Sequence, residues 1–188
     1  MLFNLPNLVT WLRILLIPLI VGIFYVQDEW LSYQDKNIAA TAVFIVAAVT
    51  DWLDGYLARK LNQMSAFGAF LDPVADKLVV VGALIVLLKL GRVDMVVGLI
   101  IIGREIAISA LREWMAQVGQ SKSVAVAFIG KVKTVGQMIA IPLLLFEDRL
   151  FGIIDCDALG TVLINIAAVL TVISMLYYLR KALPHVGS

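Results

Sequence analysis

Four aspartates stand in two pairs, Asp51 with Asp54 and Asp72 with Asp76. Spacings of three and four put each pair on one face of a helix. Two such faces turned toward one another would gather four carboxylates within a few ångströms. Repulsion at that range is strong in a medium of low dielectric, and bound cations relieve it. Carboxylate oxygens are hard ligands that suit magnesium, manganese or calcium, with phosphate oxygens and water completing the shell. The chain has one histidine, His185, and one cysteine, Cys156, so neither a multi-cysteine metal site nor an intrachain disulfide is available.

Small residues surround these pairs. Gly55 follows Asp54, Ala58 lies one turn later, and Gly68 precedes Asp72 by four. At such places a substrate or another helix can approach the backbone closely. Arg59 brings a planar fork suited to phosphate. Further charges lie inside apolar stretches: Lys77, Arg104, Glu105, Arg112, Lys131 and Lys133. Glu105 follows Arg104 directly, so the two point apart on a helix, and no role is assigned to it. Arg13 reads either as a phosphate contact or as an arginine snorkelling to a membrane surface.

The elements that must carry these residues are set by composition. Of 188 residues 62% are hydrophobic and 15% charged, with mean hydropathy +0.97. A soluble domain has about 45–50% apolar and about 25% charged residues, so this is an integral membrane protein. The formal net charge of +1 draws it toward neither nucleic acid nor acidic partners. Met1-Leu2-Phe3-Asn4 lacks the features of a cleaved signal peptide and is read as structure. Apolar runs predict six spans, at 8–26, 38–58, 69–90, 93–114, 124–146 and 158–179.

With the N-terminus inside, seven lysines and arginines flank the inner ends: Arg13, Arg59, Lys60, Arg112, Lys122, Arg180 and Lys181. Four flank the outer ends: Lys36, Lys89, Arg92 and Arg149. The excess puts both termini in the cytoplasm. The expected fold is therefore an all-α integral membrane protein, a bundle of six transmembrane helices forming one domain over 1–188. At about 1.5 Å per residue all four aspartates lie within about 10 Å of the cytoplasmic ends of the second and third spans. That predicts a polar cavity open to the cytoplasm. Trp11, Trp30, Trp52, Trp114, Tyr177 and Tyr178 fall near span ends and read as an interfacial belt.

Residues 51–76 spell D-x2-D-G-x2-A-R-x8-G-x3-D-x3-D, from Asp51 through Asp54, Gly55, Ala58, Arg59, Gly68 and Asp72 to Asp76. This resembles the signature of the CDP-alcohol phosphotransferases, membrane enzymes of phospholipid synthesis, with every fixed position present. Asn4, Pro6, Asn7, Thr10 and Arg13 resemble that family's N-terminal segment. Arg104 to Trp114 and Gly130 to Thr134 resemble the bacterial branch that makes phosphatidylglycerophosphate. The resemblance implies transfer of a phosphatidyl group from CDP-diacylglycerol to sn-glycerol 3-phosphate with release of CMP. It further implies two divalent ions, magnesium or manganese, on Asp51, Asp54, Asp72 and Asp76, with Asp76 also the general base. CDP-diacylglycerol would lie against Asp54, Gly55, Ala58, Arg59 and Gly68. A homodimer in the bacterial inner membrane, with its site facing the cytoplasm, is also implied.

Arg104, Arg112, Lys131 and Lys133 bring four positive charges to one depth, more than an uncharged alcohol needs. An acceptor carrying its own phosphate uses them, which favours glycerol 3-phosphate over serine or inositol. Two alternatives stand beside this: the same family with inositol phosphate, serine or a phospholipid as acceptor, and a divalent-cation or proton-coupled transporter. The transporter predicts inverted repeats and a midplane site. The sequence has no visible repeat, and its charges cluster on one side.

Overall fold

The computed structural model describes residues 5–61, 66–119 and 128–185. It is mostly helical: α1 (Leu5–Ile23), α2 (Tyr33–Leu61), α3 (Ala66–Lys89), α4 (Met95–Gln117), α5 (Phe128–Phe146) and α6 (Cys156–Ala182). Six helices thus stand where six apolar runs predict them. Among the described residues, α6 alone is both long and apolar enough throughout to cross a membrane. The other helices carry the charges that form the site, or have shorter apolar stretches, Leu8–Ile23 and Val132–Phe146. A two-stranded hairpin, β1 (Arg149–Leu150) paired antiparallel with β2 (Ile154–Asp155), sits in the break between α5 and α6. Its strands are too short to leave a periodic signal in sequence.

Local chemistry explains where the helices begin. Ser32 precedes α2, where its hydroxyl accepts from the Asp35 amide at 3.2 Å and donates to the Asp35 carboxylate at 2.6 Å. Asp94 and Asp155 cap α4 and α6, accepting from Val96 N and Ala158 N at 2.8 and 3.0 Å. Beyond the end of α3, Gly91 adopts φ 72°, the left-handed conformation that lets the chain reverse without a side-chain clash.

Packing is apolar and close. Ile20, Phe44, Leu84, Leu87, Ile141 and Leu144 form part of one core joining α1, α2, α3 and α5. The largest helix–helix interface is α5 against α6, while α1 lies on both α2 and α3 and α4 on α6. Gly160 makes the α5–α6 approach possible: a Cβ there would fall 2.7 Å from Leu144 Cγ and 3.2 Å from the Leu144 amide nitrogen. Many large apolar side chains on the outer faces are exposed, among them Leu15, Val49, Ile85, Leu99, Val135 and Val169.

A polar knot closes one end of the bundle. Arg92, read from sequence as a flanking charge, is buried. Its guanidinium donates to the carbonyls of Leu144 and Leu145, to Tyr33 Oη, to Asn37 Oδ1 and to Glu147 Oε2, at 2.7–2.9 Å. One side chain thereby ties the start of α2, the α3–α4 turn and the end of α5. Lys36, also buried, pairs with Asp28 at 2.5 Å.

Candidate functional site

The site begins on α1, where Thr10 and Arg13 share a helix face one turn apart. Thr10 Oγ1 donates to Asp72 Oδ1 at 2.6 Å, and Arg13 Nη1 donates to Asp76 Oδ1 at 2.5 Å. Both contacts advance along α1 and α3 together, so the two helices run parallel. From α2, Asp51 brings Oδ1 to 3.1 Å from the same Arg13 nitrogen. One guanidinium thus joins carboxylates from two helices. Arg13 is 1% exposed while the Asp51 and Asp76 side chains are 43% and 45% exposed. The cation lies beneath and the acids form the accessible surface. Snorkelling to a membrane surface is therefore not what Arg13 does.

Asp51 and Asp76 line a cavity of about 130 Å³ together with Arg13, Lys77, Glu105, Thr134, Gln137 and apolar neighbours. The cavity thus draws on α1, α2, α3, α4 and α5. No role for Lys77, Thr134 or Gln137 follows from the spacing of the sequence motifs. The signal was present: Gln137 stands one turn after Lys133 and shares its helix face.

Three of the four expected acids, Asp51, Asp72 and Asp76, have described side chains; that of Asp54 lies outside the described residues. Among the described residues, no three His, Cys, Asp or Glu side chains converge on one point. Asp51 and Asp76 meet at Arg13, and Asp72 turns to Thr10. The Arg13 guanidinium bridges the Asp51 and Asp76 carboxylates. The donor chemistry nonetheless fits a hard divalent ion. Carboxylate oxygens on two helices already approach one cationic atom at 2.5 and 3.1 Å, in a partly accessible cavity. Asp54, Gly55, Ala58 and Arg59 lie on α2, with their side chains outside the described residues. Gly68 is a buried residue of α3.

The expected basic cluster forms in part. Arg104 on α4 and Lys133 on α5 are both buried, and both donate to Glu105 Oε1: Arg104 Nη1 at 3.1 Å, and Lys133 Nζ in close contact. The expectation that Arg104 and Glu105 diverge fails because their long side chains curl back to meet. Arg104 Nη2 also donates to Ser174 Oγ on α6 at 3.2 Å. Arg112, two turns along α4, makes a long 3.4 Å contact with Tyr178 Oη. Both guanidinium groups flank the Tyr178 ring, with Cζ 5.8 and 5.4 Å from its centroid. Tyr178 is therefore buried beside the cations, not part of an interfacial belt, whereas Tyr177 and Trp30 are exposed. The Lys131 side chain lies outside the described residues. Glu105 lines the cavity, with Arg104 and Lys133 behind it.

This arrangement can do specific chemistry. Carboxylates can hold a cation or a proton at one wall, and buried cations can attract an anion at another. A family model described as CDP-alcohol phosphatidyltransferase matches residues 3–173. Proteins of Shigella flexneri serotype 5b and Escherichia coli strain K12 are each 47% identical to the chain over 182 residues. The likeness covers 96% of this chain and 95% of each relative. Both relatives are named CDP-diacylglycerol–glycerol-3-phosphate 3-phosphatidyltransferase.

Proposed function

The chain belongs to the CDP-alcohol phosphatidyltransferase family, and we propose that it transfers the phosphatidyl group of CDP-diacylglycerol to sn-glycerol 3-phosphate, releasing CMP. The near full-length likeness to enzymes named for that donor and acceptor carries this reading. The cavity supports it, with acids on one side and a basic cluster behind the other. The product is phosphatidylglycerophosphate, an intermediate of phospholipid synthesis.

In this reading residues 1–188 form one domain whose six helices cross the bacterial inner membrane with both termini in the cytoplasm. The exposed apolar faces then meet lipid, or a second copy in a homodimer, and the carboxylate cavity opens to the cytoplasm. A lipid donor with acyl chains in the bilayer and its head group in water needs a site at that depth.

Asp51, Asp54, Asp72 and Asp76 hold two magnesium or manganese ions. Ions held there would supply positive charge against the diphosphate and the departing CMP. Asp54, Gly55, Ala58, Arg59 and Gly68 form the donor's seat, the glycines and alanine allowing close approach to the backbone. Asp76 takes the proton from the acceptor hydroxyl, whose oxygen then bonds to the diacylglycerol-bearing phosphorus as the bond from that phosphorus to CMP breaks. Arg13, paired with Asp76, holds that carboxylate in place from below. Arg104, Arg112, Lys131 and Lys133 attract the acceptor's phosphate.

The test is an acceptor panel. Purified protein in detergent with magnesium and CDP-diacylglycerol is offered glycerol 3-phosphate, inositol phosphate, serine or phosphatidylglycerol, and the lipid products are identified by mass. Phosphatidylglycerophosphate as the dominant product is expected. Preference for another acceptor would keep the family and overturn the reading of the basic cluster.

A further inference from the structure

Resting on the reading that the acceptor carries a phosphate, we propose that Glu105 is a positioning residue: its carboxylate, at the cavity wall, holds the Lys133 ammonium and the Arg104 guanidinium together directly behind it, where their charge draws that phosphate. A lysine presents a compact point charge on a flexible four-carbon stem, and nothing in the stem fixes where the charge sits. A buried partner fixes it. Glu105 Oε1 accepts from Lys133 of α5 and from Arg104 of its own helix at 3.1 Å, so one oxygen sets the separation of both cations. Ser174 Oγ on α6 holds the other end of the guanidinium at 3.2 Å. Three helices therefore agree on one position.

Two observations point from this clamp to a ligand. Two cations share a single carboxylate, which leaves the group net positive beside a cavity that Glu105 itself lines. Arg104 Nε and Gln137 Nε2 are also buried without a hydrogen-bond partner. Buried donors are nearly always satisfied; of these two, Gln137 lines the cavity and offers its amide to a ligand oxygen there, while Arg104 lies behind Glu105. Gln137 follows Lys133 by one helical turn and lines the same cavity.

The proposal is tested by steady-state kinetics on the full chain in detergent with magnesium. Glycerol 3-phosphate and CDP-diacylglycerol are varied separately. The unmodified protein first has to make phosphatidylglycerophosphate; if it does not, the functional reading fails, whatever Glu105 does. Glu105→Gln keeps an oxygen acceptor but removes the charge that anchors Lys133. Its KM for glycerol 3-phosphate should rise about tenfold, with KM for CDP-diacylglycerol within about twofold. Because Glu105 acts through Lys133 as well as Arg104, adding Glu105→Gln to Lys133→Gln should raise the acceptor KM by clearly less than it does alone. Glu105→Asp, which keeps the charge but shortens the reach, should fall between Gln and the unmodified protein. If Glu105→Gln alone fails to fold around a lone buried ammonium, the neutral pair Glu105→Gln with Lys133→Met replaces it. That pair should exceed the acceptor KM of Lys133→Met alone by much less than about tenfold. An unchanged acceptor KM, an equal rise for both substrates, or additive effects with Lys133 would each overturn the proposal.

Discussion

The guanidinium of Arg13 reaches Asp76 across 63 positions of chain, Nη1 donating to Oδ1 at 2.5 Å. That bond ties the first helix to the carboxylate proposed to move the proton, and Asp51 shares the same nitrogen at 3.1 Å. A buried arginine beneath two partly exposed acids fixes their spacing while leaving them accessible.

Replacing Arg13 removes that spacing control. Charge-assisted hydrogen bonds contribute about 1.5–3 kcal/mol each, and partial exposure of both acids lowers the effective value. Arg13→Met should reduce kcat/KM by at least about tenfold, one decade for about 1.4 kcal/mol. Arg13→Lys, which keeps the charge but not the fork, should lose less. Activity of Arg13→Met within twofold of the unmodified protein would show that the contact does not govern catalysis.

Asp76→Asn keeps the shape of the side chain but cannot accept the acceptor's proton. General-base catalysis contributes about 10²–10⁴-fold, and loss of a metal ligand adds to that. Turnover should fall by at least about a thousandfold while CDP-diacylglycerol binding, followed by equilibrium dialysis in detergent, stays measurable. A fully active Asp76→Asn protein would remove the general-base assignment.

Chelation tests the carboxylate cluster directly. Treatment with EDTA should abolish turnover, and magnesium or manganese added in excess should restore it, because hard oxygen donors prefer such ions. Full activity after chelation and exhaustive dialysis would show that the aspartates serve another purpose.

Arg92 offers a contrast, since its role is structural. It bonds Asn37 on α2, and Asp51 lies fourteen residues further on, about 21 Å along the helix axis. Arg92→Ala leaves the Leu144 and Leu145 carbonyls without their donor and breaks the ion pair to Glu147. Because the Glu147 side chain is 36% exposed and still accepts from Asn37, the cost falls below the value of about 3–5 kcal/mol for a fully buried pair. Thermal unfolding in detergent should begin markedly lower, while kcat measured well below that temperature should be unchanged. An unaltered unfolding temperature would show that the knot contributes little.

Legibility in sequence varied with the physical range of each signal. Periodic apolar runs gave six helices within a few residues, because burial of long apolar stretches is a local property of the chain. Helix geometry fixes which residues share a face, so the spacing sets Asp72 and Asp76 on one side of α3, where they meet Thr10 and Arg13 of α1. The partners chosen by long side chains were harder to read. Arg13 between Asp51 and Asp76, Arg104 curling back to Glu105, and Arg92 gathering five acceptors all depend on contacts between distant segments. Tyr178 was misassigned for the same reason: an aromatic near a helix end reads as interfacial until two arginines are found on its ring. The hairpin at Arg149–Asp155 left no pattern because two-residue strands have no period.

The most direct measurement of the central claim is CMP release from CDP-diacylglycerol by purified protein in detergent with magnesium, with and without sn-glycerol 3-phosphate. CMP should appear only when both substrates are present, in equal amount with phosphatidylglycerophosphate. No CMP from folded protein with glycerol 3-phosphate, or CMP release without it at the same rate, would contradict the account.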